Sequence, residues 1–132
     1  MAEEDLRLVI AAQPENAAAL NALGYTLADQ TERYEEAEEL IRKAYMLQPD
    51  EASIIDSMGW IAYRRGRLQE SADYLRKAWS LDNNPEIAAH LGEVLWALGD
   101  SDEAKAIWRE GLAVDDQNPV LIETLDRFGV EL

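Results

Sequence analysis

The run Asp56-Ser-Met-Gly-Trp-Ile-Ala-Tyr-Arg-Arg-Gly-Arg67 is one of three copies of a single pattern, and that recurrence decides the fold. Its centre, Met58-Gly59-Trp60, pairs with Leu23-Gly24-Tyr25 upstream and Leu91-Gly92-Glu93 downstream, at spacings of 35 and 33 residues. A second set keeps step. Ala37, Ser71 and Ala104 are 34 and 33 apart, and Ala44, Ala78 and Gly111 repeat the same intervals. A period near 34, with small residues in both halves of each unit and a Pro or Asn turn between units, is that of stacked helical hairpins.

Close approach of helices explains the small residues. Gly24, Gly59 and Gly92 fall where one helix of a pair crosses the other, and the missing side chain lets the axes come together. Each costs about 1 kcal/mol of helix propensity against alanine, so packing has to offset it. Ala37, Ser71 and Ala104 are expected to meet them from the second helix.

Boundary signals divide the chain into eight helices near residues 3-13, 15-29, 34-47, 51-65, 68-81, 85-98, 101-114 and 118-128. Asn84-Pro85-Glu86 and Asn118-Pro119 each set an N-cap asparagine before a proline suited to the first helical position. Gly66 and Gly99 mark helix ends in the turns between partners. In Glu35-Glu36-Ala37-Glu38-Glu39-Leu40-Ile41-Arg42-Lys43 acid precedes base, which suits the helix dipole and reads as mostly a solvated face.

Composition bounds what such a chain does. With 132 residues, 48% hydrophobic and 30% charged, it suits one helical domain, and no strand-length alternation supports β-structure. Twelve Lys plus Arg against 27 Asp plus Glu leave a net charge of -15, a field that repels nucleic acid and anionic lipid. There is no cysteine, so cytosol and periplasm both stay open. No apolar run approaches the roughly 20 residues of a membrane helix. The acidic start Met1-Ala2-Glu3-Glu4-Asp5 lacks a basic leader, so the chain carries no targeting address of its own. One histidine, no phosphate-cradling glycine loop and no His-Glu metal spacing leave only carboxylates on helix faces, so no enzyme, cofactor or metal site is expected.

The string Leu-Gly-(Tyr/Trp/Glu), followed by Glu-Glu-Ala or Asp-Glu-Ala and a late small residue before the turn, resembles the tetratricopeptide repeat along the whole chain. The match departs from the family pattern in places. The early tryptophan is replaced by Leu20, Ile55 and Ala88, the mid-helix tyrosine by Leu27, Ala62 and Leu95, and the first unit carries one extra residue within Asp29 to Arg33. The resemblance implies an all-α right-handed superhelical solenoid of antiparallel helix pairs. Its parts are a half repeat at 1-14, repeats at 15-49, 50-83 and 84-117, and a capping helix at 118-132. The opening half repeat points to a longer parent solenoid.

The resemblance also implies that the first helix of each pair lines a concave face that binds a partner polypeptide. Mapped here, that face holds Asn21, Tyr25, Asp56, Trp60, Tyr63, Arg64, His90, Glu93, Trp96, Glu123 and Arg127. Helical spacing separates these from a core set of Leu20, Leu23, Leu27, Ile55, Met58, Ala62, Ala88, Leu91 and Leu95. Trp60, Tyr63 and Trp96 have two readings, as exposed anchors for a partner or as packing between repeats. Trp79 and Trp108, in the apolar phase of second helices, read as core. His90 is either a pH-responsive contact beside Trp60 and Glu93 or a partly exposed groove residue. Arg64, Arg65 and Arg67, the one basic cluster, read better as cations at a helix C-terminus than as a grip on a partner's carboxylate.

The family's carboxylate clamp is not carried over. Its positions hold Asn21, Tyr25, Ser57, Glu86 and His90, with no lysine, so an apolar or basic segment is the expected occupant. The strings Leu20 to Asp29, Asp56 to Arg67 and Ala89 to Gly99 are also similar to the C-terminal repeats of long tetratricopeptide proteins of Gram-negative bacteria. Some of these are outer-membrane lipoproteins that dock a carboxyl-terminal processing protease and its cell-wall hydrolase substrates. A second reading is self-association, through an apolar N-terminal edge of Leu6, Val9 and Ile10.

Overall fold

The computed structural model describes residues 2–132; Met1, at the head of the expected half repeat, lies outside the described residues. Eight helices follow in order: α1 (Glu3–Ala12), α2 (Ala17–Gln30), α3 (Tyr34–Leu47), α4 (Ala52–Arg64), α5 (Leu68–Leu81), α6 (Pro85–Ala97), α7 (Ser101–Val114) and α8 (Pro119–Phe128). There is no strand among the described residues. The all-α solenoid expected from the period is the fold observed. α2 packs with α3, α4 with α5 and α6 with α7, while α2, α4, α6 and α8 line up side by side as the first helices of successive units.

Local chemistry sets the boundaries. α2 begins later than its spacing suggests because Asn16, two residues after Pro14, is the N-cap, and its side chain accepts the Ala19 N–H at 3.0 Å. Asn84 and Asn118 cap α6 and α8, with Pro85 and Pro119 at the first helical positions. Gly66 and Gly99 have φ of 81° and 88°, the left-handed region that ends a helix, and the Arg67 and Asp100 N–H groups reach back to Ala62 and Leu95 carbonyls.

Within each pair the glycines admit the partner helix. A Cβ on Gly24 would lie 2.5 Å from Ile41 Cγ1 and 3.1 Å from the Ala37 carbonyl, and one on Gly59 would lie 2.6 Å from Leu75 Cγ. Ser71 adds a polar seal, its hydroxyl donating to the Gly59 carbonyl at 2.6 Å. At Gly92 the neighbour is Trp108 rather than Ala104: the buried indole occupies the missing side chain's space and donates to the Ala89 carbonyl at 3.3 Å. All nine expected core residues are buried, each such Leu or Ile stabilising by about 1.5–3 kcal/mol. Trp108 belongs fully to this core, whereas Trp79 is only half-buried against it.

Both ends of the stack are covered within the chain. Leu121 of α8 is buried, and Leu125 and Phe128 pack beside it on the last hairpin. At the other end Leu6 is buried and Val9 and Ile10 are half-buried against the first hairpin. The apolar edge expected there is thus largely used inside the chain, and Leu8 is the large apolar residue of α1 left exposed. No helix among the described residues is long and apolar enough to cross a membrane.

Candidate partner-binding groove

Two clefts run along the face made by the first helices. One, of about 180 Å³, lies between α2, α4 and the start of α6, and is lined by Asn21, Ala22, Tyr25, Ser53, Asp56, Ser57, Asp82, Asn84, Glu86 and Ile87. The other, of about 290 Å³, lies towards α8 and is lined by Tyr25, Asp29, Trp60, His90, Glu93, Pro119, Val120, Glu123, Thr124 and Arg127. Tyr25 borders both, so the two clefts are neighbours on this face, and together they make up the channel.

Side chains from successive units interlock on the channel floor. Asp56 of α4 accepts from His90 Nδ1 of α6 at 2.9 Å. The other imidazole nitrogen, Nε2, lies 3.1 Å from the Tyr25 hydroxyl of α2, which is 3.5 Å from Glu86. The His90 ring stacks on Trp60 at 4.1 Å, and the Trp60 indole N–H donates to Asp29 at 3.2 Å. Further along, Arg127 of α8 donates to Glu93 at 2.8 Å and to Glu123 at 3.0 Å.

The field of this floor is negative, and it shifts the ionisable groups on and beside it. Burial by itself would push the His90 imidazolium towards losing its proton; the Asp56 charge and hydrogen bond, with Glu86 and Glu93 behind, outweigh it and hold the pKa above the ordinary value. Burial, then Asp29, Glu86 and Asp56, raises the Tyr25 phenol far out of the usual range. Tyr63 is pushed up to about 12, by burial first and Glu93 second.

Eight of the eleven expected face residues line the channel: Asn21, Tyr25, Asp56, Trp60, His90, Glu93, Glu123 and Arg127. Their exposure is another matter. Trp60 is 4% exposed and His90 3%, so the reading of Trp60 as a projecting anchor and of His90 as a partly exposed residue is corrected. Both are floor, because the next unit's first helix closes over them. Tyr63 is half-buried with its ring 5.1 Å from Trp60. Trp96 is half-buried too, stacked 5.8 Å from Trp108 and tilted against Phe128 at 5.6 Å, so it joins the third unit to α8. Arg64 lies off the channel, its Nε donating to the Ala28 carbonyl near the end of α2 at 3.1 Å.

The basic cluster also has a different use from a favourable place on its own helix. Arg65 and Arg67 both donate to Glu38, at 2.8 and 2.9 Å. Glu38 is itself buried, the exception among the charged residues of a run read as mostly a solvated face. Polar lining residues beyond the expected face include Asp29, Ser53, Asp82, Asn84 and Thr124, together with Ser57 and Glu86, which the sequence places only at the clamp positions. Asp29 was reachable by extending the four-residue step from Asn21 through Tyr25; Asp82, in a turn, gave no periodic signal.

Comparison with known proteins agrees with this geometry. Two sequence families, both described as tetratricopeptide repeat, match residues 2–52 and 62–122. A TPR repeat-containing protein of Pseudomonas aeruginosa is 62% identical over 91 residues, covering 69% of this chain and 15% of the relative's length. Among solved structures, a thermophilic TPR protein of Thermus thermophilus superposes with a TM-score of 0.80 at 22% identity, over 98% of this chain and 72% of that one. PilF of Pseudomonas aeruginosa gives 0.70 at 23% identity, over 96% and 60%. At these identities the structural likeness speaks for the fold alone.

Proposed function

This chain belongs to the tetratricopeptide-repeat family, and on that premise we propose that it captures a basic, extended segment of a partner polypeptide in the channel along α2, α4, α6 and α8. Tetratricopeptide repeats are protein-interaction modules and in general non-enzymatic scaffolds. The observation that carries the basic reading is the balance of charge in the channel. Asp56, Glu93 and Glu123 have His90 and Arg127 as partners, whereas Asp29, Asp82 and Glu86 have no ion pair among the described residues. Lysine or arginine side chains bring the donors and the charge that this lining lacks, and the aliphatic stems suit its apolar members Ile87, Val120 and Pro119.

The test uses a fluorescein-labelled octapeptide of alternating lysine and alanine, beside the same peptide with glutamate. A chain of charge -15 attracts any cation, so two isocharge variants are compared: Asp82→Asn/Glu86→Gln in the channel, and Glu35→Gln/Glu39→Gln on the outer face of α3. Fluorescence anisotropy is expected to show the lysine peptide bound, weakened about fivefold by the channel variant and less than twofold by the outer one. Equal losses in the two variants, or equal binding of the glutamate peptide, overturns the reading.

At the scale of the parent protein, we propose that the chain is a segment of a longer bacterial repeat protein acting as an adaptor, of the kind that brings a periplasmic protease to its substrates. What supports the longer parent is the 62% identity over 91 residues to one stretch of a relative whose length this chain spans by only 15%; the adaptor role rests on the resemblance of the repeat strings.

A further inference from the structure

Resting on the channel as the binding face, we propose that Asp56, His90, Tyr25 and Glu86 form a proton relay across three repeats, in which the proton on His90 decides which acceptor the Tyr25 hydroxyl takes and so how much negative charge the channel offers its occupant. The donor geometry sets the logic. Asp56 can only accept, so His90 Nδ1 carries a hydrogen in both states, and the variable proton is the one on Nε2. With that proton present, Nε2–H donates to the Tyr25 oxygen 3.1 Å away, and the phenol hydrogen is free to turn to Glu86, a long contact of 3.5 Å. When the proton leaves to solvent, Nε2 becomes an acceptor, the phenol hydrogen turns to it, and Glu86 is released into the cleft it lines.

The four members come from three units: Tyr25 from α2, Asp56 from α4, His90 and Glu86 from α6. Trp60 stacked on the ring at 4.1 Å keeps it in place, so the response passes through hydrogen bonds rather than ring motion. The charged groups facing His90 are Asp56 from α4, Asp29 from α2, Glu86 and Glu93 from its own helix, and Arg127 of α8 behind Glu93, shared with Glu123. The acids outnumber the one cation, and against the opposing effect of burial they favour the protonated state. Raising the pH therefore removes one positive charge from the floor and unties Glu86. Both changes strengthen the hold on a basic segment, and by reciprocity such a segment lowers the affinity of His90 for its proton.

With one histidine and no cysteine in the sequence, His90 is the only side chain whose ordinary titration falls between pH 6 and 9, so the readout is clean. Long-range ¹H–¹⁵N spectra of the full chain report Nδ1 and Nε2 separately. Nδ1 is expected to keep its hydrogen throughout, while Nε2 loses it with a midpoint above that of free histidine, lowered in Tyr25→Phe and in Glu86→Gln. Binding of the alternating lysine–alanine peptide is expected to tighten about threefold across that midpoint, a rise absent in His90→Gln and smaller in Tyr25→Phe, where only the loss of the imidazolium charge remains. Loss of the Nδ1 hydrogen, a midpoint indifferent to both Tyr25→Phe and Glu86→Gln, or a rise in affinity that persists in His90→Gln overturns the relay. If the spectra behave as expected and the peptide binds at no pH, the relay stands and the basic occupant is what fails.

Discussion

At Glu38 three guanidinium groups converge on one carboxylate: Arg42 from the same helix at 2.6 Å, Arg65 at 2.8 Å and Arg67 at 2.9 Å, the last two from the turn between α4 and α5. The Arg67 hydrogen bonds, against the opposing effect of burial and with help from Arg42, hold its pKa down to about 2. A carboxyl depressed in the folded state contributes stability above its unfolded pKa, near 4.3, and loses it as pH falls towards 2. The arginines are one third to one half exposed, so solvent screening trims the effect. Glu38→Gln is expected to cost about 1–2 kcal/mol at pH 7, with the gap to wild type in thermal unfolding closing between pH 4.5 and 2.5. A gap independent of pH would mean that the side chain acts by packing. Sequence reading placed Glu38 in a solvated run because four glutamates surround Ala37 and helical spacing alone does not say which of them meets a turn about thirty residues later.

Elements, by contrast, were legible almost to their ends, because their signals are local. Asparagine caps, first-turn prolines and left-handed glycines act within a few residues, and the core followed from helical phase combined with the 34-residue period. Glycine, however, has two meanings that a period cannot separate, and substitution to alanine tells them apart. At Gly92 a methyl group would overlap the indole of Trp108, which is rigid and wholly buried and so cannot yield. Gly92→Ala is expected to cost about 3 kcal/mol, read in denaturant unfolding. At Gly66 nothing lies within 4 Å of an added methyl and only the left-handed backbone resists it, so Gly66→Ala should cost about 1 kcal/mol. The reverse order would show that pair packing tolerates more separation than these contacts suggest.

Across the whole molecule the readings that changed are those that depend on how near one repeat comes to the next. Phase put Trp60, His90 and Glu93 on the first-helix face correctly, but the same face of α4 also meets α6, and the inter-unit gap closes over Trp60 and His90. Trp96 likewise spends its area on Trp108 and Phe128. Stability in such a stack is a sum of unit terms and nearest-neighbour terms, so a defect should be felt most where it sits. Leu121, fully buried where α8 meets the last hairpin, offers the test. Leu121→Ala is expected to remove about 2–4 kcal/mol of local stability through lost transfer energy and a cavity. Amide hydrogen exchange should then show protection falling strongly in α6, α7 and α8, less in α4 and α5, and little in α2 and α3. The His90 cluster ties α2, α4 and α6 together and works against that gradient, so the steepness of the decline measures how far hydrogen bonds across the channel make three repeats unfold as one. A uniform fall through all eight helices would assign the whole chain to a single cooperative block.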